Sequence, residues 1–256
     1  MNTTVGNIYD LIDGFAPFSG QQSYDNSGLC VGSRDCEVTR VLTALDITCD
    51  VVREAEKLGC ELVISHHPVI FRGLKTLDPK TPAVMLAARG ISAICAHTSF
   101  DSASGGMNDL LAERLGLKVI EPLAFEEGKP MGYVCELPFE CSEAHMASVC
   151  KKKLGCEVVR MTTVGKSLKR VGICSGSGAS LIPDAINKGC DALITGDCKH
   201  SAFVDAVNLG FCLIDAGHFH TENIFHEFMA AKLTENFPSL TVMQSQAFND
   251  PVTVIK

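Results

Sequence analysis

The chain reads as an α/β protein built from two related halves, and three observations predict it. Short apolar runs of strand length alternate with amphipathic runs closed by glycine. A pattern from the first half returns in the second. Lys57-Leu-Gly-Cys-Glu-Leu-Val-Ile64 is echoed by Lys188-Gly-Cys-Asp-Ala-Leu-Ile194, and Ala88-Arg-Gly-Ile-Ser-Ala-Ile94 by Asn208-Leu-Gly-Phe-Cys-Leu-Ile214. Polar, ligand-capable side chains follow several of the apolar runs, as they do where an α/β protein builds a site at its strand exits. The echo predicts an internal duplication of a strand-helix-strand unit, giving two α/β lobes with mixed sheets flanked by helices. The first repeat spans residues 1–125 and the second residues 126–256.

Taken in order, residues 7–15 predict a helix with Ile8, Leu11, Ile12 and Phe15 on one face, ended by Pro17 and Gly20. The turn-rich cluster Tyr24-Asp-Asn-Ser-Gly28 leads into the apolar run Leu29-Cys-Val31. A strand from Val38 to Leu45 and a helix from Thr48 to Leu58, closed by Gly59, come next. Leu62 to Ile64 is a strand that delivers His66 and His67. Pro82 to Ala88 is a helix closed by Gly90, and the strand after it ends at Ala96. A helix over Asn108–Leu115 stops at Gly116. From Lys118 to about Lys169 the pattern is less regular, with a strand at Gly132–Leu137 and a helix at Glu143–Leu154. The regular alternation then resumes with a strand at Val171–Cys174 and a helix at Leu181–Asn187.

Composition narrows the function classes. Of 256 residues, 46% are hydrophobic and 20% charged, so the chain can bury a real core and is not disordered. A net charge of -8 argues against broad binding to nucleic acid or to an anionic membrane, but not against a small phosphorylated ligand at a metal. No apolar run approaches membrane-spanning length and the start lacks a basic, then apolar, leader pattern, so a soluble cytoplasmic protein is expected. The thirteen cysteines are odd in number, form no C-x-x-C pair and often sit in apolar runs. They read as reduced thiols packed as small hydrophobes.

Five of the eight histidines fall in three segments: Ile64-Ser-His-His-Pro68, Ala96-His-Thr-Ser-Phe-Asp101 and Gly217-His-Phe-His-Thr-Glu222. Adjacent histidines share a target only where a strand has ended, and Pro68 supports such an ending. His218 and Glu222 are i and i+4 on one helix face, a ready pair of ligands, whereas His220 lies on another face. Asp101 is the expected bridging carboxylate of a two-ion site. Each segment alone also has an ordinary reading, as surface histidines at a turn, a polar first helical turn or a cap. Together they predict a metal site of two divalent ions. Imidazole and carboxylate without thiolate suit zinc, manganese, iron, cobalt or nickel, and the residues do not choose among them. Ser175, Gly176, Ser177 and Gly178, between a strand and a helix, could hold a phosphate on their amides, although a tight turn also wants glycine.

Tyr24-Asp-Asn-Ser-Gly-Leu-Cys-Val-Gly32, Ser65-His-His-Pro68, Gly105-Gly-Met-Asn-Asp109, Ser175-Gly-Ser-Gly178, Thr195-Gly-Asp197 and Gly217-His-Phe-His-Thr-Glu222 occur in an order that resembles the Nif-three-like dinuclear-metal family. Members are often labelled GTP cyclohydrolase I type 2 homologs. The resemblance implies an intertwined α/β duplication, a ring-shaped homohexamer and a two-metal centre in each subunit. Carried over by motif, it implies the ligands His66, His67, Asp101, His218 and Glu222, and sets His97 beside the metals. Tyr24 stands where that family usually has tryptophan, and Asp197 replaces its more common glutamate.

Two ions against two carboxylates leave a positive site, which suits a small anionic or carbonyl-bearing substrate. The leading expectation is a metal-dependent hydrolase of a nucleotide or other phosphorylated small molecule, with His97 or His200 as proton carriers. The alternative is a non-enzymatic metal-binding scaffold, chaperone or regulatory protein that works through a protein partner.

Overall fold

Thr4 opens the first helix. Its hydroxyl accepts from the Asn7 amide while the Asn7 side chain accepts from the Thr4 amide, a reciprocal cap that leads into α1 (Val5–Phe15). The computed structural model describes residues 2–255. Its chain divides into two compact units. The first holds the chain up to Ser104 together with Phe225–Pro251, and the second holds Gly105–Ile224 with the residues from Val252 onward.

In the first unit, α1 is followed by β1 (Gly28–Val31), β2 (Arg40–Ala44), α2 (Cys49–Leu58) and β3 (Leu62–Ser65). Then come α3 (Pro82–Arg89), β4 (Ser92–Cys95) and the single turn α4 (Thr98–Asp101). The strands β2, β3 and β4 are parallel neighbours, and β1 pairs antiparallel with the outer edge of β4. Strands β3 and β4 are buried along their whole length, as continuous apolar runs covered on both faces should be. The helices stop where the sequence predicted, on Gly59 and Gly90, with φ of 68° and 67° that glycine adopts without strain. Leu42, Val51, Val52, Val63, Leu86 and Ala93 pack as the core of this unit.

The second unit begins with α5 (Met107–Leu115), β5 (Lys118–Glu126), β6 (Lys129–Ser142) and α6 (Glu143–Leu154). After β7 (Arg160–Met161) and β8 (Ser167–Ile173) come α7 (Ile182–Asn187), β9 (Ala192–Thr195), α8 (His200–Asn208), β10 (Cys212–Asp215) and α9 (His218–Glu222). The six strands lie in the order β5-β6-β8-β9-β10-β7, with β8, β9 and β10 parallel and the other pairings antiparallel. The region from Lys118 that lacks a clear pattern in sequence is thus largely a long hairpin. It turns at Glu127 and Gly128, both at positive φ (49° and 77°), as a two-residue hairpin loop requires. Among the residues of β5 only Leu123 is buried, so the strand shows no apolar alternation to read.

The chain then returns to the first unit through α10 (Ile224–Asn236) and β11 (Thr241–Gln244). Phe225, Met229 and Leu233 are buried on α10, and β11 pairs parallel with β2, Val242 opposite Val41. This completes a mixed five-stranded sheet, β1-β4-β3-β2-β11. The units therefore part after Ser104 and after Ile224, while the border read at 125/126 falls inside β5. Among the described residues no helix is long and apolar enough to cross a membrane.

Candidate metal centre

In the first unit the site follows from strand register. Ala44 lies opposite Ser65 and Ser65 opposite Cys95 on parallel strands, so the segments leaving β2, β3 and β4 emerge at one end of the sheet. There β3 hands over to His66 and His67, β4 to His97 and β2 to Asp46. Antiparallel β1, with Gly28 opposite Cys95, brings Asp25 to the same end from the segment before it. One ring nitrogen from each of His66, His67 and His97 lies within 4.8 Å of those of the other two.

Each of these imidazoles is anchored through Nδ1. The partner is the Ala96 carbonyl oxygen for His66 (2.8 Å), Asp46 Oδ1 for His67 (2.9 Å) and Asp25 Oδ1 for His97 (2.8 Å). A carbonyl or carboxylate oxygen only accepts, so Nδ1 carries the proton and the lone pair stands on Nε2, the arrangement of a metal-ligating histidine. His66 is fully buried, with the rings of Phe225 and Phe100 at 5.3 and 6.4 Å. Its Nε2 is 3.5 Å from Oδ1 of Asp101, at the end of α4. The Asp25 side chain is wholly buried, and its second oxygen accepts from the Thr98 amide and hydroxyl and from Ser27 Oγ. Burial alone would raise the Asp25 pKa, but the bonds from His97, Thr98 and the Asn26 amide hold it well below the usual carboxylate range. Burial likewise opposes charge on His97; the bond to Asp25 and the carboxylate charges of Asp101 and Asp25 outweigh it and raise the imidazole's pKa.

The second unit holds a smaller set built the same way. Asp215 lies opposite Thr195 on parallel β10 and β9, so Asp197 and His218 leave adjacent strand ends. His218 Nδ1 is 2.8 Å from Asp197 Oδ2, and its Nε2 is 2.8 Å from Oε2 of Glu222, one turn on in α9. Asp215 steadies this corner from below: it is buried, pairs with Arg160 of β7, and accepts from the amides of Cys198 and Gly217. His220 lies half-exposed against the Phe219 ring. His200 is exposed at the first residue of α8.

Ser175, Gly176, Ser177 and Gly178 form a tight turn packed against this set. The Ser175 amide donates to Asn108 Oδ1, the Gly176 amide to Thr221 Oγ1 and the Gly178 amide to Thr195 Oγ1, so three amides of the expected phosphate cradle already bind side chains. Ser177 is the one exposed residue of the four. Gly176, at φ 64°, lets Glu222 come close: a Cβ there would stand 2.4 Å from Glu222 Oε1 and 3.3 Å from His218 Nε2.

The donors fit divalent ions. Anchored imidazoles and carboxylates, with no thiolate among them, could hold zinc or its first-row neighbours. The anchoring roles of Asp46, Asp25 and Asp197 were missed from sequence; the one available signal was an aspartate next to each strand end or histidine-bearing segment.

An α/β fold whose strand exits carry such donor sets defines a protein equipped to hold metal. The family follows from comparison: residues 3–251 match the Duf34/NIF3 (NGG1p interacting factor 3) profile, and the chain belongs to that family. A Lactococcus lactis protein named GTP cyclohydrolase 1 type 2 homolog is 36% identical over 89% of this chain and 90% of its own. One of the same name from Clostridium perfringens is 33% identical over 85% of this chain and 86% of its own. The crystal structure of a Staphylococcus aureus hypothetical protein superposes with a TM-score of 0.91 at 28% identity, covering all of both chains.

Proposed function

We propose that His66, His67, Asp101, His218 and Glu222 hold two divalent ions. On this reading the protein is a metal-dependent hydrolase of a nucleotide or other phosphorylated small molecule. The observation that carries the proposal is the repeated anchoring of Nδ1 on an acceptor oxygen, at His66, His67 and His97 and again at His218. At His66, His67 and His97 this anchoring leaves Nε2 to bind an ion, and at His218 it turns Nε2 toward the Glu222 carboxylate. The ions would supply Lewis acidity toward an anionic substrate and acidify water. His97, braced by buried Asp25, is placed to carry a proton, and exposed His200 is the second candidate. The glycine turn serves chiefly to seat Glu222, which leaves Ser177 at its outer side as the cradle residue still open to a phosphate. Ring-opening hydrolysis, suggested by the relatives' name, and phosphoester cleavage suit these groups equally.

A second reading, a metal-holding scaffold for a protein partner, is favoured by the family's description as an interacting factor. Under either reading we take the protein to be a cytoplasmic homohexamer, a mass that light scattering would report directly.

The test is elemental analysis of gently purified protein, followed by a nucleotide and phosphoester panel. About two ions per chain are expected. Glu222→Gln should weaken at least one of them and lower the melting temperature in added metal, whereas His145→Gln, on α6, should do neither. Turnover that disappears in His67→Ala marks the hydrolase. No turnover on any substrate, with partner capture intact in His67→Ala, marks the scaffold. A parent protein that takes up no zinc or manganese sinks both readings.

A further inference from the structure

We propose that Tyr24 and Phe71 form a seat on which the planar ring of the substrate stacks, a nucleobase or a heterocycle of similar shape, next to the histidine cluster. The inference rests on the reading of that cluster as a substrate site.

Two large aromatic rings stand exposed side by side here. Tyr24 is 54% exposed and Phe71 44%, with ring centroids 6.5 Å apart. Phe71 in turn meets the His97 ring edge-on at 6.1 Å. His97 lies 5.2 Å from His66 and 5.5 Å from His67, also edge-on. An unbroken series of rings thus runs from the surface to the candidate ligand atoms. A ring stacked on the outer pair would place a phosphate or ribose tail toward the histidines.

The seat is also braced. The Asn26 side chain donates to the Ile70 carbonyl at 2.6 Å, tying the Phe71 segment to the Tyr24 segment. Between Tyr24 and Asn26 lies Asp25, whose carboxylate holds His97. One tripeptide therefore carries a ring of the seat, the anchor of a histidine and the tie to the opposite ring. The connection from β3 to α3, which bears Phe71, contains no helix or strand among its described residues; a connection of that length is usually either functional or a linker, and the Asn26 bond to Ile70 ties this one down. Stacking on aromatic side chains tolerates any base, because each has a π face. The seat selects a flat ring and leaves the choice among bases to other groups.

The experiment compares guanosine 5′-monophosphate, ribose 5-phosphate and guanosine as ligands of the zinc-loaded full chain, by calorimetry and by NMR of labelled phenylalanine. The parent should bind the nucleotide about tenfold or more tightly than the sugar phosphate, the range that one stacked base commands. Tyr24→Ala with Phe71→Ala should erase that gap while leaving ribose 5-phosphate affinity and zinc content unchanged. Equal binding of the two phosphates by the parent, or a gap that survives both substitutions, overturns the seat and leaves the metal centre standing. Guanosine shifting the Phe71 signal while neither phosphate binds keeps the seat and overturns the centre. A double variant with an altered assembly size by light scattering shows that the rings join copies of the chain, which also overturns the seat.

Discussion

The Cβ that Gly176 lacks would stand 2.4 Å from Oε1 of Glu222. No side chain can occupy that position unless the carboxylate moves. Gly176→Ala should therefore displace Glu222 from His218 and weaken metal binding by about tenfold or more, in line with the loss of support around a ligand. The backbone contributes too, since φ at Gly176 is 64° and alanine is strained there by roughly 1–2 kcal/mol. Gly189→Ala separates the effects: its φ is 70°, but apart from its chain neighbours no atom of the described residues lies within 4 Å of the added methyl. Both variants should melt earlier, and only Gly176→Ala should lose metal in a chelator competition. Equal metal affinity in the two would mean that the close approach has no bearing on the ligand.

The two aspartates behind His67 and His218 should differ in importance. Asparagine at such a position keeps the shape but removes the charge that fixes the imidazole, and roughly 10–100-fold in metal affinity is the expected scale. Asp46→Asn should sit at the upper end, because it anchors His67 and its side chain is only 36% exposed. Asp197→Asn should sit at the lower end, since that side chain is 61% exposed and water can replace it. Metal titrations of both variants check the order, and a reversed order would refute the anchoring argument.

The legible parts of this protein are those whose causes are local. Gly59, Gly90 and Gly116 close helices at the residue read from sequence, because a left-handed C-cap is written in one position. His66 and His67 stand at a strand exit because Pro68 and the apolar run before them say so. The parts that were not legible depend on partners far along the chain. Strand β11 joins β2 by pairing Val242 with Val41, and nothing near Val242 names that partner. Asp46 becomes the anchor of His67 only through the β2–β3 register. The serine-glycine turn shows the converse hazard: glycine that would admit a phosphate to backbone amides equally admits Glu222.

Glu61 offers a test of how the first sheet is held. Just before β3 its carboxylate accepts from the amides of Thr39 and Arg40 and from the Thr39 hydroxyl. Asp191 before β9 accepts from the amides of Lys169 and Arg170 in the same manner. Burial pushes the Glu61 pKa up, but these bonds outweigh it and bring it below the ordinary value. A depressed folded pKa means that the stabilisation is fully present above the unfolded value and fades as pH falls through the folded one. Glu61→Gln should thus lower stability by about 1–2 kcal/mol at neutral pH, the scale of hydrogen bonds to a charged group. The gap to the parent should close as pH drops toward about 3, below the ordinary carboxylate range. Denaturant melts across that range measure it, and a gap that widens in acid would contradict the assignment.

The thirteen cysteines provide the last test, because burial should sort them by reactivity. The thiolate is the attacking form, and a thiol that cannot ionise reacts slowly even when a reagent reaches it. Burial pushes the thiols of Cys135, Cys150 and Cys212 up to about 12, and neighbouring acidic groups or thiols add to the shift. Cys36, by contrast, is exposed in the segment before β2. A chromogenic disulfide reagent at about pH 8, near the ordinary thiol pKa, should therefore modify Cys36 quickly in the native protein and reach the core cysteines only as the protein unfolds. Under denaturing conditions without reductant, all thirteen should titrate if the chain is made and kept in a reducing compartment. Substituting Cys36→Ser should abolish the fast phase and leave the slow one unchanged. Fast native labelling of Cys135 or Cys212 would mean that the second sheet opens far more readily than its packing implies. A denatured count short by pairs would mean that disulfides form, and would withdraw the reducing location.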